Sequence, residues 1–80
     1  MRIKETDSFK RIKSKLDKSY LERVEKIISK IIQNPEIGKP MQNNRKGTRE
    51  VYISPFRLSY SYNLNEKVLT LLDFYHKDEQ

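Results

Sequence analysis

The side chains of this sequence that could act on a substrate gather in its second half. Arg45, Lys46 and Arg49 crowd a short Gly-containing segment, Glu50 and Tyr52 follow, then Arg57 and Ser59, and finally Tyr75, His76 and Lys77. The planar fork of arginine matches phosphate oxygens bidentately. Glu, Tyr, His and Lys can each move a proton when their surroundings perturb them enough. Such a set could support metal-free cleavage of RNA, in which the substrate supplies its own nucleophile, the 2′-hydroxyl. The protein must then hold the hydroxyl in line, stabilise charge on the equatorial phosphate oxygens, and help protons leave and arrive. On this reading Arg57, Arg49, His76, Lys77, Tyr75 and Glu50 are the catalytic candidates. Arg45, Lys46, Tyr52 and Ser59 are the candidates for holding RNA or phosphate. Plainer uses compete: solvated loop charge for Arg45, Lys46 and Arg49, β-propensity for Tyr52, and an incidental tail position for His76.

Absences narrow the chemistry further. There is no Cys, so disulfides, thiolate metal sites and cysteine nucleophiles are excluded, and a single His cannot build a His-rich metal site. No CxxC, HExxH, GxxxxGK or GxGxxG occurs, no acidic spacing would assemble a two-metal centre, and no Ser sits in a nucleophile elbow. Neither a metal nor a cofactor is therefore expected. Apolar runs are two or three residues long, too short for a membrane span or a signal peptide, and the lack of Cys fits a reducing, cytoplasmic setting. The 80 residues are read as one domain, 1–80, with a small core. The net charge of +6 is uneven: residues 1–49 hold 14 basic and 6 acidic side chains, whereas residues 50–80 hold 3 and 5. A basic balance of this kind favours acidic partners, nucleic acid or an acidic protein.

The elements that must position these residues can be read from periodicity. Met1 to Glu5, with Ile3 between Arg2 and Lys4, suits a short first strand. Asp7 or Ser8 can cap a helix bearing Phe9, Ile12 and Leu16 on one stripe. Ser19 and Glu22 have capping-box spacing ahead of a second helix with Leu21, Val24, Ile27, Ile28, Ile31 and Ile32. Asn34-Pro35 ends it, and the two helices form an antiparallel hairpin joined near Asp17-Lys18. The stretch PEIGKPMQNNRKG is a connector, too polar and punctuated for a core element. REVYI then puts Val51 and Ile53 on one face, and Glu50 and Tyr52 on the other. Ser54-Pro55 turns the chain, and FRLSYSY alternates Phe56, Leu58, Tyr60 and Tyr62 against Arg57, Ser59 and Ser61. Asn63 to Glu66 reads as a hairpin connection, and Lys67 to Tyr75 as a last strand. Its parity is ambiguous because Leu69/Leu71 and Val68/Leu72/Phe74 are both apolar sets, as befits a strand that is central or covered on both faces. The expected fold is α+β: a small, antiparallel-dominated sheet in the order β-α-α-β-β-β, with the helical hairpin on one face. Arg57, Glu50 and Tyr52 share the open face, with small Ser residues around Arg57 where a phosphate could sit.

The runs NPEIGKPM, NNRKGTREVYISPFRLSYSYN and VLTLLDFYHKDE, within about Ile28 to Glu79, resemble the RelE/ParE superfamily of toxins from toxin–antitoxin pairs, in particular its RelE-like branch. The resemblance implies a microbial RelE-like toxin held in check by a cognate antitoxin. It further implies ribosome-dependent cleavage of mRNA in the A site, without metal or cofactor. Arg57 falls on the family's strand Arg that contacts the scissile phosphate. Arg49 and Lys46 lie where the family gathers basic residues, and His76 or Lys77 where members place a late Arg or His. Two departures stand out. The late Tyr that often follows is missing, with Tyr75 the available substitute, and Glu50 and Tyr52 stand where some members carry Lys. A Glu there could serve as general base or could weaken phosphate binding. The expected partners are thus an antitoxin, the ribosome and mRNA, with no membrane. Inhibition of DNA gyrase in the manner of ParE, and a non-catalytic interaction module on the same fold, are the alternatives.

Overall fold

The computed structural model describes residues 1–76. The elements run β1 (Arg2–Glu5), α1 (Asp7–Lys13), α2 (Lys18–Gln33), β2 (Lys39–Pro40), a single 3-10 turn (Asn43–Arg45), β3 (Arg49–Ile53), β4 (Phe56–Asn63) and β5 (Val68–His76). The strands form one sheet in the order β1-β5-β4-β3-β2, with β1 parallel to β5 and all other pairs antiparallel. This is the α+β arrangement expected, with one addition. The connector contributes β2, whose Lys39 and Pro40 pair with Glu50 and Arg49, so there is a fifth strand. It is an exposed edge strand of two residues that ends in Pro, which has no N–H to donate. No helix among the described residues is long and apolar enough to cross a membrane.

Both helix starts differ from the expected caps. Thr6, not Asp7 or Ser8, caps α1: its hydroxyl accepts from the Phe9 N–H and donates to the Leu72 carbonyl 2.6 Å away. Thr6 also donates its own N–H to Leu71, so the cap is where β1 ends and its pairing with β5 stops. At α2, Asp17 accepts from the Tyr20 N–H at 2.8 Å, which places Ser19 inside the first turn and removes the capping box. With Asp17 as cap, Tyr20 takes the third helical position, where its hydroxyl reaches the Ile53 carbonyl and its ring packs on Phe56 and Phe74. Asn34 ends α2 as expected.

The core lies between the helices and one sheet face. It comprises Phe9, Val24 and Ile31 from the helices, and Ile53, Leu58, Tyr60, Leu69, Leu71 and Phe74 from the strands. The parity of β5 is settled by a bulge. Ser59 pairs with Asp73 but Tyr60 pairs with Leu71, so Leu72 is the extra residue. Leu69 and Leu71 before it, and Phe74 after it, therefore all face the helices. Without the bulge Phe74 would turn to the open face and forfeit its stack on Phe56, at 5.0 Å between centroids. The same shift puts Asp73 and Tyr75 on the open face, beside Ser59 and Arg57. The connector is pinned by Tyr60, which is fully buried, donates to the Pro35 carbonyl at 2.7 Å and accepts from the Gly38 N–H at 2.9 Å. A Cβ at residue 38 would lie 2.6 Å from that hydroxyl oxygen, so only Gly fits there.

Candidate functional site

On the open face, strand register sets the residues in rows. Tyr52, Arg57 and Tyr75 are neighbours across β3, β4 and β5, and the next row is Glu50, Ser59 and Asp73. The 3-10 turn brings Arg45 over the same rows. Glu50 is the centre: although it is on the face away from the helices, it is only 4% exposed. Its Oε2 accepts from Arg45 Nη1 at 3.0 Å and from the Tyr75 hydroxyl, and Arg45 Nη1 also donates to that hydroxyl at 2.7 Å. Its other oxygen, Oε1, lies 3.8 Å from Arg57 Nη1. Glu50 Oε1 and Arg57 Nε are both buried and hydrogen-bonded to nothing among the described residues. Buried side-chain polar atoms usually have at least one hydrogen-bond partner, so an unpaired carboxylate oxygen beside an unpaired guanidinium nitrogen sets this pair apart on the open face.

The aromatic rings position the cations. Arg57 lies over the Tyr52 ring at 5.5 Å and Arg45 over the Tyr75 ring at 5.3 Å, contacts that orient the guanidinium planes without consuming their donors. The bond to Tyr75, reinforced by Glu50 nearby, raises the Arg45 pKa above its ordinary value. Beside this cluster is a cleft of about 370 Å³ lined by Asn44, Arg45, Thr48, Ser59, Asp73 and Tyr75.

Of the residues expected from the sequence, the structure therefore brings together Arg57, Glu50, Tyr75, Arg45, Tyr52 and Ser59. It does not bring Arg49 to them. Arg49 shares the helix-side parity of Val51 and Ile53, and its Nη1 donates to the Glu36 and Gly38 carbonyls at 3.1 and 2.8 Å, clamping the connector. His76 is also on the helix side, paired with Phe56 and edge-on to its ring at 5.6 Å. Lys46 is exposed in the turn after Arg45, so the three cations of the connector do not converge. Lys77 lies outside the described residues. Asp73 and Thr48 were not foreseen. Asp73 reaches the open face through the bulge, and its Oδ1 accepts from Ser8 Oγ at 3.2 Å and from the Phe74 N–H at 2.8 Å. Among the described residues no group of three or more His, Cys, Asp or Glu is placed to hold a metal ion.

Over residues 6–80 the sequence matches the family described as the ParE toxin of the type II toxin–antitoxin system, parDE. No curated protein gives a significant match. Among solved structures, the YoeB/ParE toxin from Agrobacterium tumefaciens superposes with a TM-score of 0.85 at 15% identity, covering 95% of this chain and 98% of that one. The RelBE2 toxin–antitoxin complex from Mycobacterium tuberculosis gives 0.82 at 22% identity, covering 95% and 96%. The intact E. coli RelBE complex gives 0.82 at 14%, covering 94% of each chain. At these identities the likeness is one of fold.

Proposed function

The chain belongs to the ParE toxin family of type II toxin–antitoxin systems, and we propose that it acts as an endoribonuclease on mRNA presented in the ribosomal A site. The observation that carries this reading is the buried Glu50 carboxylate, with one oxygen unspent and facing Arg57 and the other shared by Arg45 and Tyr75. These are the parts that 2′-hydroxyl attack requires. Arg57 holds the non-bridging oxygens of the scissile phosphate through its fork. Glu50 Oε1 takes the proton as the 2′-oxygen bonds to phosphorus. The P–O5′ bond breaks, and the leaving oxygen takes its proton from the Tyr75 hydroxyl, which recovers one from Glu50 along their shared hydrogen bond. The products are a 2′,3′-cyclic phosphate and a 5′-hydroxyl, and the protein returns to its starting protonation.

On this proposal the ribosome presents the strand and holds the 2′-hydroxyl in line with the phosphate. An antitoxin is the partner that family membership implies, and two of the structural neighbours are toxin–antitoxin complexes. The test is primer-extension mapping of transcripts after expression of the chain without antitoxin. Cuts within translated codons are expected, and intact messages alongside growth arrest would refute the proposal. Inhibition of gyrase is the second reading, favoured by the family described under ParE and by a Glu that offsets the charge of Arg57. Growth arrest accompanied by gyrase-dependent DNA breaks would select it.

A further inference from the structure

The open face continues past Ser59, and there two cations stand outside any ion pair among the described residues. Ile3 of β1 faces the helices, so Arg2 and Lys4 project to the open side, where Lys4, Thr70 and Ser61 form one row and Arg2, Val68 and Asn63 the next. Together with Glu66 these residues line a cavity of about 580 Å³. Neither Arg2 nor Lys4 enters any ion pair among the described residues, in contrast to Arg45 and Arg57. Glu66, the one acid at the rim, accepts from Asn63 Nδ2 at 3.2 Å. The remaining polar groups of the cavity, Ser61 and Thr70, are neutral hydroxyls facing each other across β4 and β5.

We infer that the Arg2/Lys4 cavity is a second phosphate subsite, holding the backbone of single-stranded RNA whose scissile phosphate is at Arg57. This rests on the open face being the RNA-binding surface. The path between the two sites is continuous. From Arg57 it runs four residues along β4 to Ser61, roughly 13 Å at strand rise, then two strands across to Lys4, roughly 10 Å. Along it lie Ser59, Ser61 and Thr70, small side chains that let a phosphodiester backbone approach, with Asp73 beside Ser59 engaged by Ser8 and the Phe74 N–H. Two cations and neutral hydroxyls, with Glu66 held at the rim by Asn63, are the chemistry of backbone contact without base readout, so the subsite should bind without regard to sequence.

The test measures binding without cleavage. A fluorescently labelled 2′-O-methyl oligoribonucleotide, which lacks the nucleophile, is titrated with the full chain at several salt concentrations. Each phosphate contact on a single strand adds about 0.7 to the slope of log K against log salt. Arg2→Gln with Lys4→Gln should therefore lower the slope by about 1.4 and weaken binding roughly 10- to 30-fold at 0.1 M salt. The charge-conserving pair Arg2→Lys with Lys4→Arg should keep the wild-type slope, which separates lost charge from lost fold. An unchanged slope in the Gln pair would overturn the inference, as would failure of the wild type to bind, or equal competition by an acidic peptide of matched charge. Transcript mapping is run in parallel. Cleaved transcripts with an unchanged slope would sink the subsite alone, whereas a lowered slope with intact transcripts would sink the nuclease reading alone.

Discussion

Replacing Glu50 by Gln separates two roles that its burial combines. Gln keeps the shape and one carbonyl acceptor but can neither bear charge nor take a proton. The cost in stability is set by what the carboxylate leaves behind. Removing one partner of a fully buried pair costs about 3–5 kcal/mol because the other charge is stranded. Here the Arg45 and Arg57 side chains are 45% and 32% exposed, so both can turn to water. The penalty should then be nearer the ~1 kcal/mol of a surface pair, a fall in Tm of roughly 4–8 °C for a domain of this size. Binding should move the other way. At the 3.8 Å between Glu50 Oε1 and Arg57 Nη1, attraction between unit charges spans roughly 1 kcal/mol in water to about 4 kcal/mol at a protein surface. With the Glu50 side chain only 3% exposed the gain lies above the bulk-water figure, so affinity for a phosphate chain should rise at least about fivefold. Cleavage should nevertheless fall, by roughly 10²–10⁴, the usual contribution of a general base. Single-turnover cleavage on programmed ribosomes gives the rate, and anisotropy with the 2′-O-methyl strand gives the affinity. Tighter binding with wild-type cleavage would show that Glu50 only restrains Arg57, and weaker binding would show that it is a scaffold for the arginines. Either result refutes its assignment as base.

Arg57→Ala should abolish codon-internal cuts and also lower the melting temperature, because the nearly buried Glu50 Oε1 loses the cation beside it. Arg57→Lys should recover only part of the activity, because a point charge cannot grip two oxygens at once; full toxicity of the Ala variant would remove Arg57 from the site. Tyr75→Phe should slow cleavage more than it weakens binding, and equal loss in both would mean that the hydroxyl only props Arg45. Tyr60→Phe orphans the Gly38 N–H and the Pro35 carbonyl, so denaturant titration should show a loss of about 1–3 kcal/mol. Burial raises the Tyr60 pKa above 10.0, so the folded state favours the neutral phenol. Stability from this group is fully present below pH 10.0 and is lost as pH rises through the raised folded value. The alkaline fall should be shallower in the Phe variant, and identical slopes would refute that account.

Much of the site was legible because strand parity is a local rule. Alternation in REVYI and FRLSYSY suffices to set Glu50, Tyr52, Arg57 and Ser59 on one face, and the register agrees. What alternation cannot foretell is where it is interrupted. The bulge at Leu72 has no residue signature, being an apolar residue in an apolar run, and its cause is tertiary: Thr6 ends β1 by bonding to Leu72, and Phe74 must join the aromatic cluster. Sequence proximity is a poor guide to Arg49, since residues grouped around Gly47 part company once β3 begins and odd positions turn to the helices. The burial of Glu50 was equally hidden, because it depends on Arg45 folding back in a 3-10 turn and on Tyr75 arriving from β5. Arg2 and Lys4 are legible from the same rule: the alternation around Ile3 puts both on the open face once the register to β5 is fixed.

The charge arrangement bears on how such a site could turn over. A bare Arg57 would hold ground-state phosphate tightly, and uniform binding of that kind does not lower the barrier to chemistry. With Glu50 beside it, Arg57 is shared, so its grip on the ground state is weakened. In the proposed reaction the 2′-hydroxyl passes its proton to Glu50, so the carboxylate would become neutral at the moment the equatorial oxygens gain charge. Arg57 would then be released to those oxygens, and Arg45, also relieved of its carboxylate, would add to the positive field. On the proposed mechanism the interaction strengthens in the transition state without any movement of the backbone. Affinity surrendered at the reacting phosphate has to be supplied elsewhere on the face. Arg2 and Lys4, with no carboxylate paired to them among the described residues, are placed to supply it. Division of labour of this sort predicts opposite signatures for the two ends: loss at Arg2 and Lys4 raises the concentration of ribosomes needed for half-maximal cleavage, whereas loss at Glu50 lowers the rate at saturation.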